Sequence, residues 1–302
     1  ISTLFGTNGQ ENIRNRVASV TRDDDNDGTY ESAIHYSYDI HGNVETMLRD
    51  VPELDPLDMR LIRMDYEFEL YSGNVKKLIY QDGEFDQLIH KYTYDDNNCL
   101  KAVYTSRDGF IWNRDARQVY NSIGVMARLE LGQLNVQGLD YIYNINGWLK
   151  AMNSVTLNSS RDPGHDGYSG GTVHNLNSYF AEDAFGFGLT YFKQAPSDVV
   201  ICNSTYSGYT AAFEPTIDAS SGYHGSVYDL YNGNIAAVSN GMLDNSEEQI
   251  STGAYVYRYD KLNRIKKSQY HYDADLIDEN DWVAASTAQT AYYAEFEYDF
   301  NG

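Results

Sequence analysis

Asp23, Asp25 and Asp27 alternate along the chain and run into Gly28, the pattern of a short loop that aims side-chain oxygens at one point and turns on a glycine. Hard oxygen ligands at every second position suit Ca2+. A complete EF-hand would carry Glu at the twelfth loop position, where this chain has Ile34, so the full motif fails. A solvated acidic loop is the plainer reading. His165 with Asp166, and His174 further on, have the residue types of acid–base chemistry. No nucleophile is placed beside them by spacing. The aromatic run from Tyr179 to Phe192 reads as a long surface loop packed over a sheet by Phe185, Phe187, Tyr191 and Phe192. These residues converge on no reaction. The expectation is a non-enzymatic chain with no cofactor, Ca2+ at Asp23, Asp25 and Asp27 being the one ion to consider.

The elements that position these residues are announced by a recurring phrase. Tyr38-Asp39-Ile40-His41-Gly42-Asn43-Val44, Tyr143-Asn144-Ile145-Asn146-Gly147-Trp148-Leu149 and Tyr259-Asp260-Lys261-Leu262-Asn263-Arg264-Ile265 share one frame, and Tyr298-Asp299-Phe300-Asn301-Gly302 begins it again. Phe68 to Val75 and Tyr228 to Ile235 carry one residue more before the glycine. Tyr94-Asp95 puts Asn98 at the glycine position, and Tyr120-Asn121 replaces the acid by Asn. Both swaps preserve the physics, since Gly and Asn tolerate positive φ and Asp and Asn cap turns. The leading aromatics at 38, 68, 94, 120, 143, 228, 259 and 298 are separated by 30, 26, 26, 23, 85, 31 and 39 residues. A repeat near one period describes an array of supersecondary units.

Aromatics alternate ahead of each turn, as in Tyr36-x-Tyr38, Tyr92-x-Tyr94 and Tyr255-x-Tyr257-x-Tyr259. Alternation of this kind predicts strands. Each copy therefore predicts a β-hairpin in which Asp holds the turn, Gly or Asn takes the left-handed position and the aliphatic residue opens the return strand. A lone hairpin is marginal in water, so neighbouring copies must pair into a continuous antiparallel sheet. Tyr38, Asp39, Gly42, Tyr94, Asp95, Tyr143, Gly147, Tyr228, Asp229, Gly233, Tyr259, Asp260, Tyr298 and Asp299 are the expected turn and ladder positions, with the tyrosine rings buried and their hydroxyls free to reach solvent or a backbone group. The predicted organisation is a lead-in strand and acidic loop over 1–32, repeats over 33–157, an insertion or divergent repeat over 158–226 and repeats over 227–302.

Only 5 Pro and few helix-period runs point to an all-β chain, and 42% apolar residues with a mean hydropathy of −0.55 point to a folded one. The 28 Tyr against 11 Phe favour a thin, wetted wall over a dry core. A net charge of −22 argues against nucleic acid, whose readers need a basic surface. No stretch approaches the roughly 20 apolar residues of a membrane helix. Cys99 and Cys202 allow one disulfide without requiring it. A chain that starts at Ile1 and stops inside a copy of the phrase is expected to be a piece of a longer polypeptide.

The Tyr-Asp-x-x-Gly/Asn-x-aliphatic phrase at these spacings resembles the RHS, or YD-repeat, family. The strings Ala33 to Val44, Asp183-Ala184-Phe185-Gly186 and Tyr231 to Ile235 resemble the large secreted RHS proteins of Bacteroidetes. The resemblance implies a β-sheet that spirals into a hollow shell enclosing a C-terminal passenger such as a toxin; teneurins are more distant relatives that use a similar barrel in adhesion. It further implies a secreted or cell-surface location, with the rest of the polypeptide and a secretion machinery as partners. The alternative is an extracellular adhesion module binding glycan or protein. Asp162-Pro163-Gly164 matches only part of the family's self-cleavage motif; His165-Asp166-Gly167 departs from it, and that activity is not carried over.

Overall fold

The computed structural model describes residue 5 and residues 9–155, 157–159, 162–168, 177–192, 200–201, 230–243, 249–273, 282–284 and 293–299. Tyr228, Asp229, His174 and Cys202 lie outside them. The chain divides into two compact units, Ile1–Arg117 and Gln118–Gly302.

The first unit is an antiparallel meander. Strands β1 (Ser19–Arg22), β2 (Ser32–Tyr38), β3 (Val44–Asp50), β4 (Leu61–Phe68), β5 (Val75–Tyr80), β6 (Leu88–Tyr94), β7 (Leu100–Ser106) and β8 (Asn113–Tyr120) each pair with the next. A 3-10 helix, Pro52–Leu57, bridges β3 and β4. The second unit holds β9 (Met126–Leu131), β10 (Gln137–Asn144), β11 (Leu149–Met152), β12 (Phe185–Thr190), β13 (Val200–Ile201), β14 (Ala237–Leu243), β15 (Gln249–Tyr259), β16 (Ile265–Asp273), β17 (Trp282–Ala284) and β18 (Tyr293–Glu295). Antiparallel pairing runs β9–β10–β11–β12–β14–β15–β16, with β17 and β18 both on β16 and β13 on the end of β10. Apart from that 3-10 helix the described elements are antiparallel β-strands, mostly joined as hairpins.

Five hairpins of the repeat carry the same irregularity. In each, the leading aromatic pairs with the aliphatic residue beyond the turn, Tyr38 with Val44, Phe68 with Val75, Tyr94 with Leu100, Tyr143 with Leu149 and Tyr259 with Ile265. A register shift falls immediately before that aromatic each time. A bulge at a turn lets the strands twist without breaking the ladder.

Two expectations need correction. Residues Phe185–Thr190 are a sheet strand, paired on both edges, and not part of a surface loop. Gly186 and Gly188 make this fit, because a side chain at Gly186 would strike the Ser154 backbone and one at Gly188 would crowd Ser239 Oγ at 2.9 Å. The tyrosine rings, in turn, mostly occupy the half-buried face. Along β10, Gly138, Asp140, Ile142 and Asn144 are buried while Leu139, Tyr141 and Tyr143 are only half covered. Ala33, His35 and Ser37 take the same buried face of β2. In the second unit residues 162–168 and 177–180 set Asp166 and Phe180 against Arg128 of β9. Small and polar side chains suit a face so closely covered.

Candidate functional site

Five of the turns are held by the acid or amide that follows the leading tyrosine. Asp39 Oδ1 accepts the Gly42 and Asn43 amides at 2.7 and 2.8 Å, and Gly42 sits at φ 98°. Asp95 does the same for Asn97 and Cys99, with Asn98 at φ 68°. Asp260 holds Leu262 and Arg264, with Asn263 at φ 63°. Asn121 and Asn144 place a carbonyl oxygen where the carboxylate would be, at 3.0 and 2.9 Å from Val125 and Trp148. Gly147 takes the left-handed position of the Asn144 turn.

The tyrosine then joins one copy to the one before it. Tyr94 donates its hydroxyl to Val75 O at 2.9 Å, Tyr259 to Ile235 O at 2.7 Å and Tyr298 to Ile265 O at 2.7 Å. Each acceptor is the aliphatic residue that closes the preceding copy. Tyr38 bonds Val17 O at 2.8 Å, which identifies Asn12 to Val17 as a worn copy with Asn15 at φ 61°. Arg16 and Arg264, at the same position of their copies, lie over the rings of Tyr38 and Tyr298 at 5.4 and 4.3 Å. Asparagines link adjacent turns, Asn74 to Asn98 at 2.6 Å and Asn232 to Asn263 at 2.9 Å. Burial pushes the Tyr94 and Tyr259 phenols up, which keeps the donor proton in place. Tyr143 makes no such bond among the described residues; β13 pairs with β10 at Tyr143 instead. Asp299 follows Tyr298 in an exposed stretch.

One copy is assembled from two distant pieces. Tyr191 donates to Leu149 O at 2.9 Å, the role of a leading tyrosine, and its own carbonyl accepts the Leu230 amide at 2.7 Å. Tyr191 followed by Leu230, Tyr231, Asn232, Gly233, Asn234 and Ile235 reproduces the frame of Tyr38 to Val44, with Leu in place of the acid. Gly233 stands at φ 88° and packs on Trp148 of the preceding turn. Residues 192–229 are thus inserted inside a single repeat turn.

Asp23, Asp25 and Asp27 do come together, each offering an oxygen within 4.8 Å of the others, and all three are exposed. Their oxygens accept loop amides from Asn26, Gly28, Asp27 and Thr29. His165 and Asp166 do not act as a pair. The His165 ring lies beside Tyr168 with Nδ1 3.2 Å from Ser159 O, while Asp166 turns inward to Arg128.

That inward cluster is the most strongly charged buried place among the described residues. Arg128, at 2% exposure, bridges Asp140 and Asp166, the latter at 2.8 Å, with Glu130 3.6 Å from its Nε. Phe180 covers the guanidinium at 4.6 Å. Asn153 accepts the Asp140 amide and donates to Asp183, both at 2.8 Å, and the Asp166 amide reaches Asp162 at 3.2 Å. Burial drives the Asp140 carboxyl well above its ordinary value against the pull of Arg128, with Asp162 and Asp166 adding to the rise. The same balance pushes Asp166 up to about 6. Asp183 is raised by burial and then by the neighbouring Asp162.

Comparison with known proteins gives little beyond this. No family model and no curated protein matches the chain. The solved structure of the Photorhabdus luminescens Tc holotoxin pore, with a substitution in TccC3, is similar at 13% identity and a TM-score of 0.41, over 81% of this chain and 11% of that one.

Sequence spacing left Arg128, Glu130 and Asp140 unremarked and took Tyr191 only as a packing residue of a surface loop. A signal for Tyr191 exists in Phe185-Gly186-Phe187-Gly188-Leu189, a period-two strand running into a tyrosine. Arg128 and Asp140 are 12 residues apart and meet only because β9 and β10 pair in that register.

Proposed function

We propose that this chain is a non-enzymatic wall segment of a large secreted or cell-surface RHS-type protein, whose work is to enclose or present a C-terminal passenger such as a toxin domain. The observation that carries the reading is a tyrosine bond from one copy to the carbonyl closing the copy before it, made at five places by Tyr38, Tyr94, Tyr191, Tyr259 and Tyr298. Bonds of this kind tie hairpins into a wall that can be extended by adding copies, and a wall with few free strand edges excludes proteases and bulk partners. The partners that follow are the rest of the same polypeptide, its passenger and a secretion machinery. A charge of −22 speaks against nucleic acid, and no helix among the described residues is long and apolar enough to cross a membrane.

A second reading, an adhesion module, draws on the turn tips. Ile40 and Leu70 in the first unit and Ile145 and Leu262 in the second are exposed at the ends of their hairpins. Apolar residues repeated at exposed tips suit a protein or glycan partner.

Cryo-electron microscopy of the longest expressible parent polypeptide separates the two. Density enclosed by the sheet and traceable to a downstream segment is the expected result. An open sheet with nothing enclosed overturns containment in favour of adhesion.

A further inference from the structure

Glu130, Asp140, Asp162, Asp166 and Asp183 are each no more than 6% exposed, and Arg128 is the one lysine or arginine buried with them among the described residues. Five carboxyl groups share a single guanidinium where water cannot reach them, a poorly compensated arrangement. Two oxygens also lack any partner, Asp162 Oδ1 and Asp166 Oδ2, on side chains 3% and 1% exposed. A buried acceptor without a donor costs about 1–3 kcal/mol and calls for a ligand that the protein itself does not supply. Asp140, Asp162 and Asp166 each offer a carboxylate oxygen, and these oxygens lie within 4.8 Å of one another. Oxygens on opposite sides of one calcium ion, at about 2.3–2.6 Å each, are about 5 Å apart.

We propose that Asp140, Asp162 and Asp166 bind a divalent cation, Ca2+, between the buried face of β10 and the loop around 162–168. Donor chemistry selects the ion. The set is entirely hard oxygen, with no His or Cys, which disfavours zinc. Mg2+ holds a regular octahedron and keeps several waters, for which a closed site has little room. Gly138 and Gly164 flank the carboxylates so tightly that a side chain at either would collide with Arg128 and with Asp166 or Asp140. A small ion fits beside such backbone where a lysine does not. Asp23, Asp25 and Asp27 differ in kind, since all three are exposed to water. The bound ion staples the 162–168 loop to the sheet, so calcium raises the stability of the unit in proportion to its occupancy.

The test uses the 302-residue chain stripped with chelator and titrated calorimetrically with CaCl2, with MgCl2 in parallel and thermal unfolding as second readout. One calcium site and a raised Tm are expected. Asp162→Asn and Asp166→Asn should each weaken binding at least tenfold, whereas Asp25→Asn should leave it unchanged. If Asp166→Asn fails to fold for want of its bond to Arg128, Asp162→Asn still decides, because the Asn carbonyl can go on accepting the Asp166 amide, a bond the Asp162 side chain makes to the protein. Crystals grown in CaCl2 give a check independent of any variant, with anomalous density expected among the three carboxylates. Absence of heat, of a Tm shift and of density at millimolar calcium overturns the proposal. So does binding lost in Asp25→Asn and retained in Asp162→Asn.

Discussion

Tyr94→Phe removes one oxygen and tests the bond between copies directly. The lost bond is 2.9 Å long and ends on the carbonyl of Val75. Val75 lies two residues before Lys77, the first residue of β5 paired with β6, so no strand amide stands ready to replace the phenol. Loss of a bond of this kind costs about 1 kcal/mol, within a range of about 0.5–1.5. That is a factor of about five in the equilibrium for local opening. Hydrogen exchange followed by mass spectrometry on peptides covering β5 and β6 reads this opening without requiring the whole chain to unfold in one step. Tyr92→Phe is the control two residues away on the same face. Its ring lies beside His90 with centroids 6.4 Å apart, and its hydroxyl makes no hydrogen bond among the described residues. The expected result is about fivefold faster exchange in β5 and β6 for Tyr94→Phe and little change for Tyr92→Phe. Equal exchange in the two variants would refute the argument that the hydroxyl, and not the ring, joins the copies.

Gly42→Val should destabilise more than Gly147→Val in thermal unfolding. Both positions are left-handed, at a cost of roughly 1–2 kcal/mol for an L side chain, but only at Gly42 does the new group also meet the Arg16 guanidinium. Unchanged unfolding in both variants would count heavily against the hairpin turns. Acid should open the Asp turns before the Asn turns. At Asp39 burial works upward and is outweighed by bonds from Asn43 and Gly42, and at Asp260 the Arg264 amide leads, so both carboxyls lie below their ordinary value. A carboxyl lowered by folding adds stability above its unfolded value, about 3.9, and loses it as pH falls through the folded one. Exchange protection in β2–β3 and β15–β16 should therefore fall below about pH 4 ahead of β10–β11, whose turn holds Asn144; simultaneous loss would contradict this. Deleting residues 192–229 to join Tyr191 to Leu230 should leave a cooperatively folding chain, given the existing 2.7 Å bond between them. Loss of the sheet's circular dichroism would rule out the composite copy.

The hairpins were legible because their information is local. Tyr38-Asp39 and Gly42 lie within five residues, and a turn is decided by the residues inside it. The sheet followed, since copies this close have only each other to pair with. What the sequence concealed depends on distance along the chain. Tyr191 is separated from its glycine, Gly233, by an insertion, so a reading of adjacent letters assigns that copy to Tyr228 instead. Asp140, Asp162, Asp166 and Asp183 are unremarkable one by one in a chain with 44 acidic residues. Only the β9–β10 register and the inward turn of residues 162–166 reveal that Asp140 and Asp166 share one arginine, with Asp162 and Asp183 buried as well.

The preference for tyrosine at the leading position has a specific cause. Where the tyrosine bond is made, the backbone ladder begins two residues after the aliphatic acceptor: at Ser19 after Val17, Lys77 after Val75, Ala151 after Leu149, Ala237 after Ile235 and Lys267 after Ile265. The bulge at each turn sets the strand ends apart, and that one carbonyl is left facing a gap. Phenylalanine would cover the gap with a ring and leave the acceptor unpaired. Tyrosine covers it and donates, as the five hydroxyl bonds of 2.7–2.9 Å show. The turn residues thus create a defect in the ladder, and the next copy's tyrosine repairs it. Each hairpin is completed only by its neighbour, which makes the array, and not the single hairpin, the unit of stability.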